Sequence, residues 1–420
     1  MQCGGNRLGD TLLLNAVCPS NTFAMHYASS FRIALLLLVA LLVQIAHGQH
    51  PAPILTPAST GPFGVGRKLL EWTDNARREP ADTTQVRRVP IWVWYPSAKA
   101  DSNWSEAPLS ADWRAAQTAY LTQKIGPEGA SFLAQLQVRA RTDAPIVRGK
   151  ERFPVLIFGP GHTWLPTDYS TLIEELVSHG YVVVGYVPTS LASATRLSSG
   201  RILKATLDIH QQDVCFQDAL LVRRKLALLD APDSWLQGRI DLNRVGMFGH
   251  SQGGAAALVA AARDSTVCPV VNLDSDLMGT ALTVSTTQPC LMISHDERPD
   301  ITSEPNQGVR RGRERSEYRR HADWVRATDK APVSLRVRIE DTQHMNFADL
   351  ALIAPSVMTA AQRRNRLSSL DGARGLAVAA DLTRLFFDRI LKGGPSYTLE
   401  SIEKQYPEVQ ALLWRGYAFY

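Results

Sequence analysis

The sharpest chemical feature of the sequence is Gly249-His250-Ser251-Gln252-Gly253, which fits the pattern G-x-S-x-G. It directly follows a short apolar run at 244–248 and leads, through Gly254, into an Ala-rich stretch ending at Arg263. A serine in that context sits on a strained strand-to-helix turn that lifts its hydroxyl clear of the sheet. Glycine two residues to either side removes side chains that would collide there. The start of the following helix also turns backbone N–H groups and the positive end of its dipole toward the reacting centre. The chemistry expected of Ser251 is therefore nucleophilic attack on an acyl carbonyl.

A serine hydroxyl is a poor nucleophile at neutral pH, so a histidine must take its proton and a carboxylate must hold that histidine in the right tautomer. Where the serine stands on a strand–turn–helix, the acid and then the histidine follow it in the chain. Downstream of Ser251 the histidines are His295, His321 and His344. His321 lies in the charged stretch Arg319-Arg320-His321-Ala322, where a solvated surface position is expected. His295 follows a strand end, the station of the acid rather than the base. His344 comes after the last apolar run, in a loop ahead of Asn346-Phe347-Ala348-Asp349, and is selected as the base over the alternative of an ordinary loop histidine. The acid stays open between two stations. Asp274, with Asp276 two residues on, closes the run at 269–273; Asp296, with Glu297, closes the next, and spacing alone slightly favours Asp296. His250 and His179 read as structural.

These residues need a scaffold. Beyond Arg152 short apolar runs alternate with helical stretches, as in a parallel sheet covered on both faces. Strands are expected at 154–158, 181–186, 244–248, 269–273, 289–294 and 333–339, and helices at 168–178, 207–229, 252–263, 317–328 and 376–391. This is an α/β chain with a mostly parallel central sheet and helices on both faces; together with the serine motif it points to the α/β-hydrolase fold. One catalytic domain is expected over 67–420. Residues 88–96, dense in β-branched and aromatic side chains, predict an edge or early strand. An insertion at 102–147 carries helix formers and could cover the site as a partial lid. Residues 49–66, rich in Pro and Gly, predict a tether, and 297–315 predicts a mobile polar loop.

Composition narrows the partners. With 45% hydrophobic and 20% charged residues the chain is not a disordered one. A formal net charge of +5 on 420 residues is mild, and the Arg-rich stretch 310–320 is interrupted by Glu314 and Glu317, so it reads as solvated rather than as a nucleic-acid surface. No cysteines or histidines show zinc spacing, and neither metal nor organic cofactor is expected. Near the N-terminus Arg32 precedes the apolar run 33–43, followed by Gln44, Ile45 and Ala46-His47-Gly48. That run is short for a membrane span and predicts a signal segment over 1–48, cleaved near Gly48, with export to a periplasm or beyond. The alternative is an anchor through 33–46. Met25 would be a more ordinary start, making 1–24 an upstream extension. Cys3 and Cys18 would leave with the signal, so Cys215, Cys268 and Cys290 hold either a Cys268–Cys290 disulfide or three free thiols. Asn103-Trp104-Ser105 is a formal glycosylation sequon.

Several stretches between Gly61 and Leu391 carry a resemblance. They are Gly61-Pro62-Phe63-Gly64-Val65-Gly66, Trp94-Tyr95-Pro96, Phe153-Pro154-Val155-Leu156-Ile157-Phe158 with Tyr169-Ser170, the serine elbow, Leu273-Asp274 with Leu277-Met278-Gly279, and His344-Met345-Asn346-Phe347-Ala348-Asp349. Together they resemble the platelet-activating factor acetylhydrolase family, the plasma type and its bacterial relatives. The resemblance implies Asp274 as the acid, with Asp296 the alternative, and backbone N–H groups of Gln252 and His162 as the oxyanion hole. It implies a serine ester hydrolase acting on short or oxidised acyl esters, phospholipids among them, with transient contact at a lipid interface. Competing expectations are hydrolysis of a peptide or thioester bond, and a silent fold that binds a lipid or partner. Two departures bear on acyl-pocket shape: Gln252 stands where the family commonly has Phe, and Gly159-Pro160-Gly161-His162-Thr163-Trp164 replaces a loop that usually begins His-Gly. Trp164 lines the acyl pocket or simply packs.

Overall fold

The computed structural model describes residues 53–416, except 102–103, 208–210, 212, 297–306, 355–356, 358–366 and 368. The signal segment and alternative start, Cys3, Cys18, the first tether residues, Asn103 of the sequon and Glu297 therefore lie outside the described residues. Among the described residues no helix is long and apolar enough to cross a membrane.

The strands are β1 (Ile54–Leu55), β2 (Gly64–Glu79), β3 (Asp82–Ser97), β4 (Leu136–Gln137), β5 (Arg141–Thr142), β6 (Phe153–Gly159) and β7 (Val182–Tyr186). They continue with β8 (Ala194–Arg196), β9 (Ile202–Lys204), β10 (Ile240–His250), β11 (Val270–Leu273), β12 (Cys290–Ser294), β13 (Ser334–Ile339) and β14 (Val409–Arg415). Ten of them form one sheet in the order β14-β13-β12-β11-β10-β6-β7-β3-β2-β5. The run from β13 to β7 is parallel throughout, and antiparallel pairing begins outside it, at β14 and β3. The helices are α1 (Ala111–Gln135), α2 (Ser170–Ser178), α3 (Asp213–Lys225), α4 (Gln252–Arg263), α5 (Gln307–Ala327), α6 (Gly372–Leu391) and α7 (Leu399–Gln405).

Successive strand residues point to opposite faces, and because helices cover both faces both sets are apolar. Leu156 and Phe158 of β6 join a core with residues of α1, α2 and α6; Val155 and Ile157 join the opposite core with α3, α4 and α5. This is why the central strands read as unbroken apolar runs. The architecture is the expected α/β one, and α4 coincides with the expected 252–263.

Several elements differ from expectation. Helix α3 begins later than 207 and ends in a 3-10 turn, Leu226–Leu229, and α2 is preceded by another, Pro166–Tyr169. Helix α5 starts at Gln307, so the second half of the stretch expected as a mobile loop is helical. Its Arg and Glu residues, free of Pro, are good helix formers. Strand β3 is not an edge: it lies between β7 and β2, and the Pro90 carbonyl takes the Val187 N–H at 2.9 Å. Its unforeseen partner is β2, which starts inside the stretch expected as a tether. That stretch is docked from residue 53 on. β1 pairs with β4, Thr60 N–H donates to Glu175 at 2.8 Å, and a Cβ on Gly61 would fall 2.1 Å from the Ser178 carbonyl oxygen. The insertion is likewise built into the core. Trp113 of α1 is buried and its Nε1–H donates to the Ala194 carbonyl at 2.8 Å, and Gln117 Nε2 donates to both Asp168 oxygens at 2.9 Å. Cys268 and Cys290 are not bonded: both are free, as is Cys215, and the buried Cys290 thiol donates to the Gln288 carbonyl at 3.1 Å.

Burial pushes three carboxyls up, Asp168 to about 6, Asp349 to about 7 and Glu174 to about 8. A carboxyl raised in the folded state binds its proton more tightly there than in the unfolded chain. Its contribution is present at acid pH and is lost as pH rises through the folded value. Glu174→Gln removes the largest of these liabilities, so the variant's thermal midpoint should match or trail wild type at pH 5 and exceed it by several degrees at pH 8.5. Thermal unfolding at both pH values checks this; an unchanged difference would contradict it.

Candidate active site

Strand β10 ends at His250 and α4 begins at Gln252, leaving Ser251 alone on the turn between them. Its backbone has φ 52° and ψ −123°, a conformation a side-chain-bearing residue rarely holds without support. Support comes from Ser251 N–H, which donates to the Leu273 carbonyl at 2.8 Å. The flanking glycines let three backbone segments converge. A Cβ on Gly249 would lie 2.3 Å from the carbonyl carbon of Gly253, and one on Gly253 only 2.0 Å from the Gly159 carbonyl oxygen.

Asp274 caps β11 with φ 57° and is sealed from solvent. Its Oδ2 lies 2.5 Å from His344 Nδ1, so the other imidazole nitrogen is left for a reacting hydroxyl, on a ring whose side chain is 43% exposed. His344 opens a 3-10 turn, His344–Phe347, and the same loop sends Asp349 onto the start of α2, where it accepts the N–H groups of Ser170 (2.7 Å) and Thr171 (3.1 Å). Asp274 serves more than His344. It also accepts the backbone N–H of His295 at 3.0 Å, His295 Nδ1 at 2.7 Å and Arg320 Nη1 at 2.9 Å. Burial on its own would raise this carboxyl; the charges of His295 and Arg320, with the hydrogen bonds from both histidines, outweigh it and hold the group well below the usual range.

Of the two acid stations, Asp274 is thus the one against His344. Asp296 accepts the Asp341 N–H at 3.2 Å and faces Arg338 Nε at 3.9 Å. His295 and Arg320 were missed as site residues. The first had a signal, because β11 and β12 are adjacent in parallel register, Leu273 beside Ile293, which puts the residues just past both strand ends together. Arg320 had none, since only the tertiary arrival of α5 brings it to the acid. His321, its neighbour, is half-buried, and burial lowers its pKa.

On the other side of Ser251, β6 runs into Gly159-Pro160-Gly161-His162-Thr163. A Cβ on Gly161 would stand 3.4 Å from Ser251 Cβ, so this loop lies against the serine. Thr163 is held at φ 71°, and its carbonyl takes Ser193 N–H at 2.9 Å. Gln252 is the first residue of α4, where backbone N–H groups have no intrahelical partner. Its side chain is buried, and among the described residues neither its amide nitrogen nor its amide oxygen finds a hydrogen bond. Trp164 is buried in the same core as Tyr169.

His250, Asp274 and His344 offer ligand atoms within 4.8 Å of one another, a spacing that a metal could use. The donor set does not fit one. His250 Nδ1 lies 2.8 Å from the Tyr169 hydroxyl and its Nε2 2.9 Å from the His344 carbonyl, so both ring nitrogens are engaged.

A parallel sheet with a strained serine between strand and helix, and with Asp274 after β11 meeting His344 after β13, is the architecture of the α/β-hydrolase fold. In fold the chain is similar to a solved ferulic acid esterase from Streptomyces cinnamoneus, at TM-score 0.66 and 24% identity over 86% of this chain and 100% of that one. The model of the family "Platelet-activating factor acetylhydrolase, isoform II" matches residues 50–194. A relative from Arthroderma benhamiae (strain ATCC MYA-4681 / CBS 112371), described as a probable 1-alkyl-2-acetylglycerophosphocholine esterase, is 26% identical over 267 residues, covering 59% of this chain and 65% of that relative. Within the α/β-hydrolase fold, the similarity to the platelet-activating factor acetylhydrolase family thus covers residues 50–194 by the family model and 59% of the chain by the relative.

Assigning the acid gives a direct expectation. Asp274→Asn leaves the volume but reverses the hydrogen-bond demand on His344, and turnover of any acyl substrate should fall ~10³- to 10⁴-fold. Asp296→Asn should stay within about threefold of wild type. Steady-state rates of the two variants, each checked for folding, decide between the acids.

Proposed function

We propose that this protein is a serine carboxylic-ester hydrolase that works through an acyl-enzyme on short-chain or oxidised acyl esters, phospholipid esters among them. The observation that carries the reading is the 2.5 Å contact of Asp274 with His344 Nδ1, in a site where Ser251 stands on a strained turn. In this mechanism His344 Nε2 takes the Ser251 proton as Oγ attacks the ester carbonyl. Asp274 holds the tautomer and stabilises the imidazolium that forms. The oxyanion develops toward the backbone N–H groups of Gln252 and His162, each worth ~10²- to 10³-fold in rate by analogy with measured oxyanion donors. The alcohol leaves with the proton from His344, and water, activated by the same base, releases the acid.

The substrate class follows the resemblance and the relatives' descriptions. A phospholipid ester would be met at a lipid surface, so transient contact with an interface belongs to this reading. So does export: Arg32 followed by the apolar run 33–43 and Ala46-His47-Gly48 supports cleavage near Gly48.

Hydrolysis of p-nitrophenyl esters from acetate to palmitate by the form beginning at Gln49 tests the function. Activity should be highest on short chains and vanish in Ser251→Ala. A folded wild type that hydrolyses no chain length contradicts the ester reading and leaves other acyl bonds or a silent fold.

A further inference from the structure

Behind the serine lies a chain of hydrogen bonds that joins its two flanks. Gly161 N–H donates to the Tyr169 hydroxyl oxygen at 3.2 Å, that hydroxyl lies 2.8 Å from His250 Nδ1, and His250 Nε2 lies 2.9 Å from the backbone carbonyl of His344. The directions can be assigned. A carbonyl only accepts, so the His250 proton sits on Nε2 and points at His344. Burial, followed by the nearby His344 ring, lowers the His250 pKa to about 3, so the imidazole is neutral and carries a single proton. Nδ1 is then a bare lone pair, and the Tyr169 O–H must donate into it. The Tyr169 oxygen in turn receives Gly161 N–H. Every donor and acceptor is used, and the order runs one way only.

We infer that Tyr169 and His250 are positioning residues: a one-directional relay through them sets the backbone of the oxyanion loop against that of the histidine loop, with Ser251 between. The inference rests on the proposed acyl-transfer role of Ser251 and His344. Gly161 directly precedes His162, whose N–H is the assigned oxyanion donor, so holding the Gly161 peptide orients the next one. At the other end, the bond to the His344 carbonyl fixes the main chain from which the base projects. His250 is also the residue bonded to Ser251, so one rigid ring refers both partners to the nucleophile. Ring contacts keep it in place: its centroid is 4.5 Å from that of His344, 5.5 Å from Tyr169 and 5.9 Å from Phe347, all tilted, and Phe158 meets Tyr169 edge-on at 5.0 Å. An error of about 1 Å in such a site can cost on the order of 10²-fold in rate.

Three variants and one spectrum test this. Tyr169→Phe removes one oxygen and keeps the ring; kcat on a short-chain ester should fall about 10- to 100-fold, with KM within about threefold and the thermal midpoint within a few degrees. His250→Phe, which removes both ends of the relay, should lose at least as much. His250→Gln, whose amide oxygen can accept from Tyr169 while its N–H donates to His344, should recover most of the rate. In ¹⁵N-histidine spectra of the wild type, His250 should carry its proton on Nε2 alone and show no titration from pH 5 to 8, and Tyr169→Phe should shift the Nδ1 resonance. The inference is overturned if His250 titrates in that range or is protonated on Nδ1, or if folded Tyr169→Phe and His250→Phe turn over at the wild-type rate. Should the wild type hydrolyse no ester at all, the proposed function fails and the nitrogen spectrum alone decides the relay.

Discussion

An ionised carboxylate sealed from water costs several kcal/mol unless its oxygens are fully bonded, and Asp274 is such a group. Its requirement organises much of the structure around the site. The donors come from three different places: the loop after β12 supplies His295, helix α5 supplies Arg320, and the loop after β13 supplies His344. The parallel order β11-β12-β13, with successive strand ends at one end of the sheet, brings the two histidine loops to one carboxylate, and α5 adds Arg320. The same bonds that make the burial tolerable keep the charge in place for the imidazolium of a reacting histidine. Under the proposed mechanism, structural satisfaction and catalytic electrostatics are one set of contacts.

The serine imposes the complementary constraint. Its strained backbone persists only because β6, β10 and α4 approach closely enough to over-determine it, and at Gly159, Gly249 and Gly253 that approach leaves no room for a Cβ. Once the segments touch, polar backbone buried between them must be answered locally. Around the serine, Tyr169 accepts from Gly161 and Ser193 donates to Thr163 in the loop after β6, while Asp349 caps the start of α2 and His250 meets the His344 carbonyl. These bonds tie the loops around the serine to one another and to the start of α2.

Much of this was legible in the sequence where the cause is local. The elbow is a short-range pattern of Gly, Ser and Gly, and unbroken apolar runs such as Val182–Tyr186 follow directly from a doubly covered sheet. Downstream order singled out His344, which the fold sets against Asp274. The choice between Asp274 and Asp296 was not local, because both close strands and only the direction each side chain takes in the folded sheet separates them. Arg320 was invisible for the same reason, lying 46 residues from the acid it binds, on a helix whose charged surface pattern looks solvated. The stretch at 53–66 misled because Pro and Gly mark chains that hang free and also chains that pack too tightly for a side chain, as Gly61 does against Ser178. Cys268 lies just before β11 and Cys290 opens the neighbouring β12, yet adjacency is not bonding geometry, and both remain thiols.

The central claim is that Ser251 is a nucleophile made reactive by His344 and Asp274. Covalent labelling with a fluorophosphonate ester, followed by peptide mass mapping, asks this without presuming a substrate. One phosphonyl group on the peptide containing Ser251, formed at least about 10²-fold more slowly in His344→Ala, is the predicted result. A folded wild type that is not labelled, or one labelled at another residue, would contradict the account.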